Sequence, residues 1–206
     1  MTIVKKKVFY WSPFTSKVAT IRSVINSAFA VNKYLNYKYS SHILDAADEW
    51  NSYSNELNSK NLEVIKLNKK SNFQNYKKDG FLRSRIAYIY IFLKCIFPLH
   101  TLLKNKKPAF LIIHLITSLP LFLFIIKNYE TKLILRISGL PKMTFLRKIL
   151  WKIAIKKIYR ITCPTEDTYR DLSKFEFLKN KLTVLRDPII HCAQILKTEN
   201  NEIDIT

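Results

Sequence analysis

The chain has 206 residues, 48% hydrophobic and 24% charged, a balance that builds a core and excludes intrinsic disorder. With 35 Lys and Arg against 15 Asp and Glu, the formal net charge is +20; such a charge suits an anionic partner or reflects a compositional bias toward Lys, Asn and Ile. There are only two glycines, Gly80 and Gly139, where average usage is about 7%, so neither G-x-G-x-x-G nor a Walker A loop can be written.

Residues 8–11, Val-Phe-Tyr-Trp, form a short apolar run closed by Ser12-Pro13, the pattern of a buried strand and its loop. Val18, Ile21, Ile25, Ala28, Val31 and Leu35 then recur at steps of three and four, which predicts a helix with one core-facing side. Strands follow over 41–44 and 62–67, and a buried helix over 82–97 is ended by Pro98. A strand over 110–113, a helix over 119–127 and a strand over 133–137 come next. Thr144 opens a helix running to about 158, and a strand over 160–163 ends at Pro164. Thr165 caps a helix with Glu166 and Asp167 in its first turn, and 182–185 is the last strand. Seven strands alternating with helices predict a single α/β domain over 1–190, Rossmann-like and doubly wound on a mostly parallel sheet, with 191–206 as a tail. Ligands of such sheets bind beyond the carboxyl ends of the strands.

The cysteines, Cys95, Cys163 and Cys192, are odd in number and far apart. This points to a reducing compartment, without a disulfide framework or zinc site. The apolar stretch after the basic N-terminus is too short for a signal-peptide core, so the expected location is cytoplasmic.

Four segments share a pattern: Ser12-Pro13-Phe14 after the first strand; 136–142, Arg-Ile-Ser-Gly-Leu-Pro-Lys, with the basic helix after it; 161–165, Ile-Thr-Cys-Pro-Thr; and 181–190, Lys-Leu-Thr-Val-Leu-Arg-Asp-Pro-Ile-Ile. In this order, at strand ends, they resemble the N-terminal domains of family 4 glycosyltransferases of bacteria, which often build O-antigen and capsular polysaccharide. The resemblance implies the acceptor-side half of a GT-B fold and sugar transfer from a nucleotide donor with retention of configuration. It implies no metal and no cofactor beyond the nucleotide sugar as donor substrate. The family's donor-binding half carries two glutamates eight positions apart, and no such pair occurs here. The resemblance therefore implies a fragment that lacks the donor half, inactive alone and completed by a separately encoded C-terminal glycosyltransferase domain. Where the family has glycine in the first loop, this chain has 12–17, Ser-Pro-Phe-Thr-Ser-Lys.

The resemblance also picks out residues. His114 is the catalytic candidate, facing the acceptor or transferred sugar, or else held by local hydrogen bonds. Phe14, Thr15, Lys17, Arg136, Ser138 and Glu166 are the acceptor-binding candidates. Arg136 reads as a fork for phosphate or as the partner of a carboxylate such as Glu166. Glu166 reads as a hydroxyl contact or as a helix-start acid. Ser138 and Gly139 suit a turn, Gly139 with an unusual backbone angle, and Asp187 suits a turn before Pro188.

In the helix from Thr144, Leu146, Ile149, Leu150 and Ile153 line one side, with Lys148, Trp151, Lys152 and Lys156 among the remainder. A basic helix with an interfacial aromatic suits an anionic membrane surface, so the inner face of the plasma membrane is an expected partner; the resemblance implies a lipid-linked glycan acceptor as the other. A competing expectation is an integral membrane protein spanning at 108–126, an uncharged stretch of nearly the required length. Nucleic acid is not an expected partner: the basic residues are scattered and no binding motif appears.

Overall fold

The computed structural model describes residues 4–16, 18–68, 81–141 and 143–188. In chain order these form β1 (Lys6–Trp11), α1 (Thr20–Tyr34), β2 (Tyr39–Asp45), a 3-10 turn (Glu49–Tyr53), α2 (Ser54–Ser59), β3 (Glu63–Lys66), α3 (Phe81–Lys106), β4 (Phe110–Ile113), α4 (Ser118–Ile126), β5 (Lys132–Arg136), α5 (Phe145–Ala154), β6 (Ile158–Cys163), α6 (Glu166–Ser173), α7 (Glu176–Lys179) and β7 (Leu182–Val184). The strands make one sheet in the order β3-β2-β1-β4-β5-β6-β7, and every neighbouring pair is parallel. This is the expected α/β Rossmann-like fold, with a sheet that is parallel throughout.

β1 shows why its sequence is an unbroken apolar run. Val8 and Tyr10 pack on one side with Ile21, Val24, Ile25 and Ala28 of α1 and with Trp50 and Leu57. Phe9 and Trp11 pack on the other with Ala87, Ile91, Cys95 and Leu99 of α3, Leu119 of α4 and Trp151 of α5. A central parallel strand is buried on both faces, so it needs no polar alternation.

Three expectations are corrected. α3 does not stop before Pro98; the proline sits inside a helix of 26 residues. It removes one backbone donor, but Cys95, Leu99 and Leu103 keep one buried stripe going past it, and that packing outweighs the lost bond. The stretch 108–126 is not a span: it divides into β4, a polar turn and α4. The helix expected to run to about 158 ends at Ala154, and Ile158 begins β6. Lys156 therefore stands in the turn after α5, exposed. The tail at 191–206 lies outside the described residues.

Candidate functional site

In this strand order the chain leaves β1 toward β2 on one side and resumes at β4 on the other, so the loops after β1 and β4 part and leave a crevice. A cavity of about 660 Å³ occupies it. The loop after β1 supplies Pro13, Phe14, Thr15 and Ser16. The loop after β4 supplies His114 through Ser118, and the end of β5 supplies Arg136, Ile137, Ser138 and Gly139. Tyr88 of α3 and Leu146, Arg147, Leu150 and Trp151 of α5 close one wall.

The loops are held firmly. Phe14 is buried edge-on against Trp50 and Tyr53, with ring centroids 5.1 and 5.9 Å away. The Trp11 indole nitrogen donates to the Ile116 carbonyl at 3.0 Å, and Ile116 has a φ of 47°. A β-branched residue rarely adopts that angle, and backbone strain of this kind concentrates at functional sites.

His114 is 5% exposed, and neither ring nitrogen has a hydrogen-bond partner among the described residues. Its ring stacks near Tyr10, with centroids 6.4 Å apart. Burial first, and the Arg136 charge second, push its pKa down to about 3. The imidazole is therefore neutral at physiological pH: one nitrogen offers a proton and the other a lone pair. A base this weak removes protons poorly, while the neutral ring can both donate to and accept from a hydroxyl. The Ser12 and Thr162 hydroxyls, at the ends of β1 and β6, are likewise buried without partners. Orphan polar groups are rare in folded proteins and call for an explanation.

Arg136 lines the cavity, but its guanidinium is engaged. Nε donates to Asp187 Oδ1 at 2.8 Å and Nη2 to the Arg186 carbonyl at 3.1 Å. The carboxylate partner is Asp187, not Glu166, so the phosphate fork expected here is occupied by the protein itself. Loss of one partner from a pair this buried costs about 3–5 kcal/mol, so the contact holds residues 186–187 firmly on β5. Asn26 of α1 donates to the Pro188 carbonyl at 2.7 Å, a second anchor for the same segment.

The other candidates separate. Phe14, Thr15, His114, Arg136 and Ser138 share the cavity. Glu166 does not; it lines a neighbouring depression of about 590 Å³ with Ser138, Gly139, Thr165 and Asp187. Thr165 does cap α6, its hydroxyl accepting from the Thr168 backbone N–H at 3.1 Å. Gly139 shows no left-handed φ, and a Cβ there would meet nothing within 4 Å, so the expected unusual angle is absent. Lys17 lies outside the described residues. Among the described residues no cluster of His, Cys, Asp and Glu could hold a metal ion.

Among the membrane candidates, Lys148, Lys152 and Lys156 are exposed. Trp151 is not: it is 5% exposed and packs in the core. In α5, Trp151 and Ala154 face inward and Phe145, Leu146, Ile149 and Ile153 outward. Sequence reasoning also missed Tyr88 as a cavity residue, since it sits in an apolar helix without a marker.

No protein-family model and no curated protein matches the sequence. Solved structures match in fold. The UDP-GlcNAc 2-epimerase of Neisseria meningitidis, bound to UDP-GlcNAc, aligns with a TM-score of 0.61 at 16% identity, over 96% of this chain and 51% of that one. The UDP-GlcNAc 2-epimerase of Methanocaldococcus jannaschii aligns at 0.52 and 12% identity, over 89% and 46%. A spinosyn forosaminyltransferase aligns at 0.52 and 10% identity, over 89% and 50%. The chain spans about half the length of the structures it matches. The likeness shows a fold: one Rossmann-like α/β unit of the kind found in GT-B-type enzymes. That fold serves both transferases and epimerases and does not by itself select a chemistry.

Proposed function

We propose that this chain is the acceptor-side unit of a glycosyltransferase of the GT-B type. It would belong with the retaining family 4 enzymes that its motifs resemble. The reaction is transfer of a sugar from a nucleotide donor to a lipid-linked or polysaccharide acceptor, as in O-antigen or capsule synthesis. The observation that carries the reading is His114: a neutral imidazole with both nitrogens unpartnered among the described residues, opening on a cavity of about 660 Å³ at the point where the strand order reverses.

In this reading an acceptor hydroxyl hydrogen-bonds His114 and is held for attack, with the strained loop at Ile116 fixing its direction. Burial, and then the Arg136 charge, keep His114 neutral, while Asp187 holds Arg136 in place. The donor's departing diphosphate is stabilised by fixed groups of a facing nucleotide-binding unit, so this unit alone transfers no sugar.

The test is calorimetric titration of the chain with a short-chain lipid diphosphate monosaccharide and with UDP-sugars. The expected result is saturable binding of the lipid-linked sugar and weaker binding of UDP-sugars. In a folded His114→Ala variant the lipid-linked sugar should bind about tenfold less tightly, the worth of one hydrogen bond to a buried polar group. Tight binding of UDP-sugars with indifference to the lipid-linked sugar would overturn the reading and favour a nucleotide-sugar enzyme such as an epimerase.

A further inference from the structure

α3, α4 and α5 lie side by side over one face of the sheet, in contact α3 to α4 and α4 to α5. Each has an inner apolar side in the core, and each also has an outer one. On α3 the outer stripe is Ile86, Ile89, Leu93 and Phe97, from 53% to 76% exposed. The spacing of three, four and four keeps these residues on one line, opposite the buried line of Ala87, Ile91, Cys95 and Leu99. α3 is in fact long and apolar enough to cross a membrane: an 18-residue window within Arg85–Lys106 has a mean hydropathy of 1.7, yet only 28% of that window is buried. The Phe122 ring of α4 meets Phe92 of α3 at 5.6 Å and carries the apolar surface across. On α5 Phe145 and Leu146 are 76% and 77% exposed.

An apolar surface of this extent is unusual on a free protein and marks an interaction site. Its charge identifies the occupant. The three helices carry eight Lys or Arg and no Asp or Glu. The ammonium groups of Lys148 and Lys152 sit over the rings of Phe175 and Phe177, 5.3 and 5.7 Å from the centroids, beside the outward stripe of α5. Apolar stripes bordered by one sign of charge fit a surface that is apolar within and anionic at its boundary, which is an anionic lipid bilayer. The stripes also begin at the cavity: Tyr88 of α3 and Leu146 of α5 line it.

We propose that the outer face of α3, α4 and α5 is a membrane-docking surface. It lies in the headgroup region of an anionic bilayer with the mouth of the His114 cavity at the lipid boundary. The partner it names for that cavity, a lipid-borne acceptor, rests on the acceptor-side reading above; the docking itself does not. The outer residues insert, the lysines meet lipid phosphate, and a headgroup reaches the cavity without leaving the membrane.

Co-sedimentation of the full chain with vesicles tests this without any sugar or acceptor, so its outcome is separate from that of the sugar-binding titration. Vesicles of phosphatidylglycerol with phosphatidylcholine should bind the chain, and phosphatidylcholine alone should bind it far less. Salt should release it. The double variants Leu93→Asp with Phe97→Asp, and Lys148→Glu with Lys152→Glu, should each bind about tenfold less or weaker still. Tyr37→Asp, in the exposed turn after α1, should bind as the parent does, and circular dichroism should confirm folding of each variant. Three results would overturn the proposal. One is equal binding to neutral and anionic vesicles. Another is full binding by the stripe variant. The third is a dimer that the stripe variant dissolves while vesicles bind neither protein, which would assign the face to a second copy.

Discussion

His114 and Glu49 are both buried titratable groups, and burial drives their pKa values in opposite directions because their charged forms are of opposite type. His114 is charged when protonated, so burial and Arg136 bring it down to about 3. Its contribution to stability is present above its unfolded value of 6.5 and is lost as pH falls toward 3. Glu49 is charged when deprotonated, and it is 1% exposed beside Asp45. Burial, and then Asp45 as acceptor and as like charge, raise its pKa well above 4.5, although the backbone N–H groups of Ala46 and Ala47 donate to its oxygens at 3.1 and 2.6 Å. Its contribution is full below pH 4.5 and is lost as pH rises through the raised value. Glu49→Gln, which cannot ionise, should therefore gain on the parent as pH rises. Thermal unfolding of both proteins at pH 5 and pH 8 checks this: the difference in melting temperature shifts toward the variant at pH 8, and an unchanged difference would contradict a proton held on Glu49. None of this was legible in the sequence. The Glu49 environment depends on β2 and the 3-10 turn folding back together, and the partner of Arg136 is Asp187, 51 positions away.

At the scale of elements, the seven strands were legible because parallel strands buried on both faces are written as short apolar runs between breakers. The helices were legible as helices, but less so in extent and facing. Pro98 reads as a stop, yet α3 continues because its buried stripe does. α5 has apolar residues on more than one side, so periodicity alone assigns no inner face; packing chose Trp151 and Ala154. That choice is open to measurement. Trp151→Ala should destabilise the protein by about 3–5 kcal/mol, as large core truncations do, while Leu146→Ala should stay within about 0.5 kcal/mol, as surface changes do. Denaturant titration of the two variants separates the orientations: a large loss at Leu146 and a small one at Trp151 would restore the opposite facing.

At the scale of the whole molecule, one topological fact organises the rest. The strand order reverses between β1 and β4, the crevice opens there, and Phe14, Thr15, His114, Arg136 and Ser138, spread over more than 120 positions of sequence, line one cavity. Their convergence was readable in outline, since strand-end loops of a doubly wound sheet face the same way. The depression that takes Glu166 instead depends on β6 standing two strands from β4, which no local pattern encodes. The net charge of +20 was equally visible, but its meeting with the outer stripes of α3 and α5 depends on how those helices turn. The central claim is that this cavity receives the acceptor. Photo-crosslinking of the chain with a lipid diphosphate sugar bearing a diazirine on the sugar, followed by peptide mass spectrometry, tests it most directly. The account predicts saturable labelling of the loops at 12–16 and 114–118, competed by the unlabelled lipid-linked sugar and not by UDP-sugars. Labelling confined to the Glu166 depression, or labelling of the cavity that UDP-sugars compete away, would contradict it.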